Sequence, residues 1–248
     1  MGSHALAARV VGILGQARRR TVTSEVVEGT DGVPFAEALG LRCALRDPRS
    51  LLDLSTLDHR RIDALATAAH PGYVLRCWRD ELPEDMLAPY ALAKRTMNEA
   101  PLGELDAAPI RYDAERIRGE VAIQRRRGYR VYQLVAVHES TGVVAGLTEL
   151  AVVRIYPTRG DQDDTCVVPA HRGHGLGLWM KAAMLRLLRT SEPGLVDVQT
   201  WNAETNAHML AVNTALGFRR DRMWREYQAG VAELGGILSA TTQRAASW

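Results

Sequence analysis

Val167-Val168-Pro169-Ala170-His171-Arg172-Gly173-His174-Gly175-Leu176-Gly177 decides how the rest of the chain reads. Cys166 to Val168 is an apolar run that ends a strand, because Pro169 has no N–H to give to a sheet ladder. Gly173, Gly175 and Gly177 follow at every second position. Beyond them Leu178, Met180, Ala182, Ala183, Leu185, Leu187 and Leu188 recur at helical spacing. Strand, glycine-rich turn and helix together point several backbone N–H groups at one spot, and the helix N-terminus adds partial positive charge there. The expected occupant is an anion, a pyrophosphate above all. No Gly-Lys-Ser/Thr closes the loop, which excludes a Walker loop, and the glycine spacing is not that of the dinucleotide fingerprint.

Composition narrows the classes. The 248 residues allow one large domain or two smaller ones, and 46% apolar content supplies an ordinary core. With 31 basic and 29 acidic side chains, the chain carries no general nucleic-acid footprint, and Arg125-Arg126-Arg127 reads as a solvated helix face. Cys43, Cys77 and Cys166 lie far apart, so neither a metal site nor a disulfide framework is expected. No apolar run approaches the roughly 20 residues that span a bilayer. With no signal peptide visible, a reducing cytoplasm is the expected compartment.

Along the chain, Leu6, Val10, Ile13, Leu14 and Ala17 form a helical stripe. Thr21 to Val27 is a β-branched strand, Phe35 to Leu39 a short helix ended by Gly40, and Leu41 to Leu45 follows. Helix, strand, helix and glycine recur in the same order from Gly177 to Gly217, and Ala38-Leu-Gly-Leu-Arg42 resembles Ala215-Leu-Gly-Phe-Arg219. With Gly2 set against Gly177, this reads as an internal repeat. Ser55 to Ala69 has helical character, and Tyr73 to Trp78 reads as a strand. Asp80 to Arg111 is rich in carboxylates around a helical portion at Leu87 to Met97, and Asp113 is placed to cap a helix stopped by Gly128. Arg130 to Glu139 and Val143 to Arg154 form a hairpin across Ser140-Thr141-Gly142. One face of its second strand is expected to be Val143, Ala145, Leu147, Glu149, Ala151 and Val153, a row that a carboxylate interrupts. Arg154 to Asp164 reads as a polar loop, Met223 to Gln228 as a last strand, and Ala229 to Trp248 as a mobile or loosely docked tail.

Arg172-Gly173-His174-Gly175-Leu176-Gly177 resembles the coenzyme A pyrophosphate loop, Arg/Gln-x-x-Gly-x-Gly/Ala, of the GCN5-related N-acetyltransferase (GNAT) superfamily. Downstream, Asn202, Asn206 and Leu216-Gly217-Phe218 resemble its second motif. The resemblance implies an α/β (α+β) fold, a mixed and mostly antiparallel sheet flanked by helices and split open beside the glycine loop, preceded by a partial repeat. Residues 1–54 then read as the C-terminal half of a first repeat that starts partway through, 55–71 as a helical linker, 72–228 as a complete domain and 229–248 as a tail. Met1-Gly-Ser-His reads alternatively as a cloning remnant. A homodimer is one way to cover the strand edges that the partial repeat would expose.

The resemblance implies acetyl-coenzyme A (acetyl-CoA) as donor, held by Arg172, Gly173, His174, Gly175, Leu176 and Gly177 mainly through main-chain N–H groups. Val167 and Val168 match the strand edge that pairs with the pantetheine arm, one N–H polarising the thioester carbonyl. Asn206 matches a coenzyme-holding asparagine, and His171 and His174 read as phosphate-site neighbours. The acceptor is expected to be a small-molecule amine, and an acidic Asp80–Arg111 wall would suit a cationic one. Transfer also needs a neutral amine. Glu149, desolvated on an apolar face, is the candidate base; a structural glutamate paired to an arginine is the other reading. Many relatives place the base one strand later, where Thr165 stands here. The family's tyrosine acid position holds Asn213, which leaves Tyr227, Tyr156 or water to protonate the leaving thiolate. His208 reads as a surface histidine. The alternatives are a catalytically inactive acyl-CoA sensor or scaffold, a chain whose active form needs a missing half, and a generic phosphate-binding module.

Overall fold

A computed structural model describes the backbone of residues 3–245 and the side chains of residues 5–240. The chain forms two compact units. The smaller contains the residues up to Pro48, Pro101–Ala108 and those from Arg222 on; the larger contains Arg49–Ala100 and Pro109–Asp221. The elements in order are α1 (Ser3–Gln16), β1 (Thr21–Val27), α2 (Gly32–Ala38), β2 (Arg42–Asp53), α3 (His59–Ala66), β3 (Tyr73–Arg79), α4 (Glu84–Lys94), α5 (Ala114–Arg126), β4 (Arg130–His138), β5 (Val144–Val152), β6 (Arg159–Val167), α6 (Leu176–Ser191), β7 (Asp197–Trp201), α7 (Ala207–Leu216), β8 (Arg219–Gly230) and α8 (Val231–Ala245).

The internal repeat is visible in the elements. The order α1-β1-α2-β2 recurs as α6-β7-α7-β8. Both second helices end in the same way. Gly40 and Gly217 take φ of 77° and 98°, a region that favours glycine. Leu41 N donates to Ala36 O at 3.1 Å and Phe218 N to Asn213 O at 3.0 Å, the six-to-one bond of a Schellman cap. Met1 and Gly2, which the repeat alignment used, lie outside the described residues, as do 246–248.

Strand pairing then crosses the repeats reciprocally. In the smaller unit β1 pairs antiparallel with β8, from Thr21↔Gly230 to Val27↔Trp224. In the larger, the end of β2 pairs antiparallel with β7, from Arg49↔Trp201 to Asp53↔Asp197. Each repeat therefore completes its partner's strand pair. The larger unit's sheet runs β2-β7-β6-β5-β4-β3. Every pairing in it is antiparallel except β6 with β7. It is the mixed, mostly antiparallel sheet expected.

Helices cover both faces of that sheet. On one side Trp179, Met180, Leu185 and Leu188 of α6, with Val212 and Leu216 of α7, pack on Leu134, Leu150 and Val198. On the other, Met86, Leu87 and Tyr90 of α4 and Ile117 of α5 pack on Val135, Val137 and Leu147. Asp113 caps α5 by accepting from Arg116 N at 2.9 Å, as its position implied.

Four expectations are corrected. The segment after Gly230 is a helix, α8, whose Leu234 and Leu238 join the apolar cluster that holds Ala7 and Val11 of α1. Gly235-Gly236 interrupt it with weak helix formers and mask the spacing of Val231, Leu234 and Leu238. The supposed loop Arg154 to Asp164 supplies most of β6, because pairing with β7 holds Arg159 to Asp161 extended and β5 pairs with Gly160 and Asp161 from the other side. β2 runs to Asp53, well beyond Leu45, and passes from one unit to the other after Pro48. Finally, an irregularity where Val137 pairs with Val144 breaks the alternation of β5, so Ala145 packs with the α6 side while Leu147 packs with the α4 side.

Leu52, only 1% exposed, carries the strand exchange into the larger unit's core, which also holds Val198, Leu216 and Phe218. Leu52→Ala is expected to lower unfolding stability by about 2–5 kcal/mol in urea denaturation. A loss below about 1 kcal/mol would show that the exchanged strand is not integral to that core.

Candidate active site

The site forms where β6 leaves β7. Their parallel pairing runs from Arg159↔Asp197 to Asp161↔Gln199 and, among the described residues, no further. β6 meanwhile stays paired with β5 as far as Val167↔Gly146. The cause lies in β6 itself. Thr165 pairs with Thr148 and Gln162 with Leu150, so Asp163 and Asp164 together stand opposite Glu149. Two residues against one is a β-bulge, which bends the strand and re-aims its side chains.

The freed end of β6 delivers the glycine loop. Val168 N donates to Ala145 O at 2.9 Å, so that N–H is spent on β5. By strand alternation, the N–H of Val167 points the other way, toward the side that β7 has left. Pro169–His171 form one 3₁₀ turn before the loop. Gly173 and Gly175 take φ of 83° and 71°. A Cβ added at Gly173 would meet nothing within 4 Å, so the loop's face is open. Gly175 is the N-cap of α6, with no side chain capping the helix and no acidic residue in its first turn. The first N–H groups of α6 thus lack a side-chain acceptor, and the helix dipole meets no carboxylate there. These features fit a pyrophosphate.

The surroundings hold the loop in shape. Arg172 Nε donates to Val167 O at 3.1 Å, and its other end pairs with Glu99 at 2.7 Å. His70 stacks on Trp179, with ring centroids 4.2 Å apart, and one of its ring nitrogens lies 3.0 Å from His174 O. Tyr73 Oη lies 3.0 Å from His171 Nδ1. Burial, with His138 and His174 close by, holds the His171 pKa below the usual histidine value. In the sequence His70 carries no signal beyond opening the break His70-Pro71-Gly72. Asn206 caps α7, its Oδ1 accepting from Met209 N at 3.2 Å.

Glu149 lies on the α4 side, in a buried charge group. Lys94 Nζ is 2.9 Å from each of its carboxylate oxygens, and the Tyr90 hydroxyl donates to one of them. Lys94 also meets Asp164 at 3.1 Å and Glu120 at 3.6 Å. Burial raises the Glu149 carboxyl above the ordinary carboxylate range, against the pull of Lys94. Burial alone would lower the Lys94 pKa, but Glu149, Asp164 and Glu120 together hold it above the usual lysine range. The pairing partner of Glu149 is thus a lysine rather than an arginine. Thr165 Oγ1 lies 2.7 Å from Thr148 Oγ1.

The bulge sets Asp163 apart. Its side chain reaches solvent, yet the protein packed around it, followed by Glu149, Asp164 and Asp161, pushes its pKa up to about 8. Sequence reading missed Asp163 because an Asp-rich run looks like a loop; no periodicity announces a bulge. Asn213 is 1% exposed and lies between Lys181 and Asn202. Tyr227 belongs to the smaller unit's core, where its hydroxyl donates to Glu37 at 2.9 Å. Tyr156 and His208 are exposed.

A tandem GNAT protein from the clavulanic acid biosynthesis pathway, solved without acetyl-CoA, superposes with a TM-score of 0.76 at 31% identity, over 92% of this chain and 69% of that one. A GCN5-related N-acetyltransferase from Sphaerobacter thermophilus gives 0.58 at 14% identity, over 85% and 60% of the two chains. One from Kribbella flavida gives 0.56 at 12%, over 90% and 76%, and these two speak for the fold alone. No protein-family model and no curated protein sequence matches. The mixed, mostly antiparallel sheet flanked by helices matches the GNAT fold. The chain belongs to the GCN5-related N-acetyltransferase superfamily. Among the described residues no helix is long and apolar enough to cross a membrane, and no metal-binding cluster occurs.

Two outcomes check the charge group. Lys94→Met strands Glu149 as a buried, unpaired carboxylate and is expected to cost about 3–5 kcal/mol in denaturant unfolding, with Glu149→Gln added to it restoring most of the loss. Simple additivity of the two losses would contradict the pairing. For Asp163, the folded pKa lies above the ordinary value of 3.8, so folding takes up a proton and stability falls as pH rises from about 4 to about 8. Asp163→Asn is therefore expected to melt higher than the parent by a margin that widens up to pH 8 and then levels off. A margin independent of pH would show that Asp163 titrates normally.

Proposed function

We propose that this chain is an N-acetyltransferase that takes its acyl group from acetyl-CoA and passes it to the amine of a small molecule. The observation that supports the reading is the open glycine loop on an uncapped, acid-free helix N-terminus, placed where β6 and β7 part. Gly173 to Gly177 would hold the pyrophosphate through backbone N–H groups, with Arg172 fixing the loop to β6. The Val167 N–H would face the acyl carbonyl. When bound, the coenzyme supplies an activated thioester.

The chain must then relieve the attacking amine of its proton. The carboxylates at the bulge supply acceptors on the adjoining strand. Glu149 keeps both oxygens on Lys94, whereas Asp163 is exposed at the bulge, its carboxyl held above the ordinary range by the protein around it and by its fellow carboxylates. Asp163 therefore takes the proton, and Glu149 and Lys94 set the field around it. Asp161, Asp164 and Glu149 outnumber Lys94, the buried lysine among them, and favour an acceptor carrying further positive charge.

Calorimetric titration with acetyl-CoA tests the reading. The parent protein is expected to bind saturably at one site. Gly175→Glu, which forces a side chain onto a left-handed residue and brings a negative charge to the helix N-terminus, is expected to abolish binding. Absence of binding by the parent, or equal binding by the variant, would contradict the assignment.

A further inference from the structure

A second buried lysine lies on the other face of the sheet. Lys181, in the second turn of α6, is 1% exposed, and among the described residues no carboxylate accompanies it. Its Nζ donates to Asn213 Oδ1 on α7 at 2.6 Å, and the Phe218 ring lies 5.3 Å from it. Burial pushes its pKa down to about 7. A lysine in such a place forfeits hydration and gains no counter-ion in return, so a methionine of similar shape would serve packing better.

What the lysine does is orient amides. Because Lys181 Nζ donates to Asn213 Oδ1, the Asn213 carbonyl faces Lys181 and its NH₂ faces away. Asn213 Nδ2 then donates to Asn202 Oδ1 at 2.6 Å, which turns the Asn202 NH₂ away from Asn213 in turn. Asn202 is half-buried and follows the last residue of β7, three residues beyond Gln199, where β7 has already left β6. The donors run one way, from Lys181 through Asn213 to Asn202, and leave the Asn202 NH₂ turned away from Asn213 at the end of β7.

We propose that Lys181, Asn213 and Asn202 form a one-way donor relay that presents the Asn202 carboxamide N–H groups to a carbonyl oxygen of the acyl thioester or of its pantetheine arm, with Lys181 as the positioning residue. The inference rests on the acetyl-CoA reading above. It gives Asn213, which cannot act as an acid, a part in holding the donor in place.

Two variants separate this role from a structural one, with ligand-free melting and calorimetric titration of acetyl-CoA and of coenzyme A on the full chain. Lys181→Met removes a buried amine without a cavity and is expected to melt at or above the parent's temperature. Asn213→Asp gives Lys181 a counter-ion and is also expected to melt no lower, while losing the N–H that orients Asn202. Both are expected to weaken acetyl-CoA binding about tenfold, the worth of one well-placed hydrogen bond. Loss confined to acetyl-CoA assigns the thioester carbonyl, and loss shared with coenzyme A assigns the arm; either supports the relay. Unchanged affinity in both variants, or affinity that falls only with melting temperature, overturns it. Failure of the parent to bind acetyl-CoA would overturn the donor reading itself, a result distinct from parent binding that the variants share.

Discussion

The bulge in β6 is the constraint on which the site depends. An uninterrupted β6 would stay beside β7, and the glycine loop would open onto a closed sheet. With two residues against Glu149, the strand turns away after Gln162, while the Thr200 hydroxyl still donates to Gln162 O at 3.0 Å and marks the last tie between the strands. The same irregularity divides the two aspartates. Asp164 turns to Lys94, and Asp163 is left in contact with solvent beside its fellow carboxylates. One local departure from sheet geometry thus makes both the room for a donor and the basic group beside it.

The two buried lysines show how differently the faces of the sheet use charge. Lys94 is surrounded by carboxylates and stays ionised, so its side is a closed ionic group with one exposed outlier. Lys181 has an amide and an aromatic ring for neighbours, and its effect is carried by hydrogen-bond polarity rather than by ion pairing. In a low-dielectric interior both arrangements fix side-chain orientation tightly, the first through Coulomb attraction and the second through the hydrogen bond that Lys181 donates to Asn213.

Much of this was legible in the sequence. The glycine alternation at Gly173 to Gly177, the caps at Asp113 and Asn206 and the Leu-Gly-Phe ending were visible because each is a local requirement of backbone geometry. The internal repeat was visible for the same reason, since Gly40 and Gly217 end matching helices. What could not be read were features set by tertiary pairing. The strand exchange gives β2 and β8 lengths that no local pattern encodes, and a bulge leaves no periodic mark. Lys94 and Lys181 are buried by partners that only the tertiary fold brings together. Gly235-Gly236 hid α8 by lowering helix propensity where packing against α1 prevails.

The measurement that bears most directly on the donor site is the backbone amide spectrum of the ¹⁵N-labelled chain during titration with acetyl-CoA. The account predicts saturable shifts at Val167 and at Gly173 to Gly177, with Val168, whose N–H is held by Ala145, moving less than its neighbour. Shifts concentrated elsewhere, or no saturable change along the glycine loop, would contradict it.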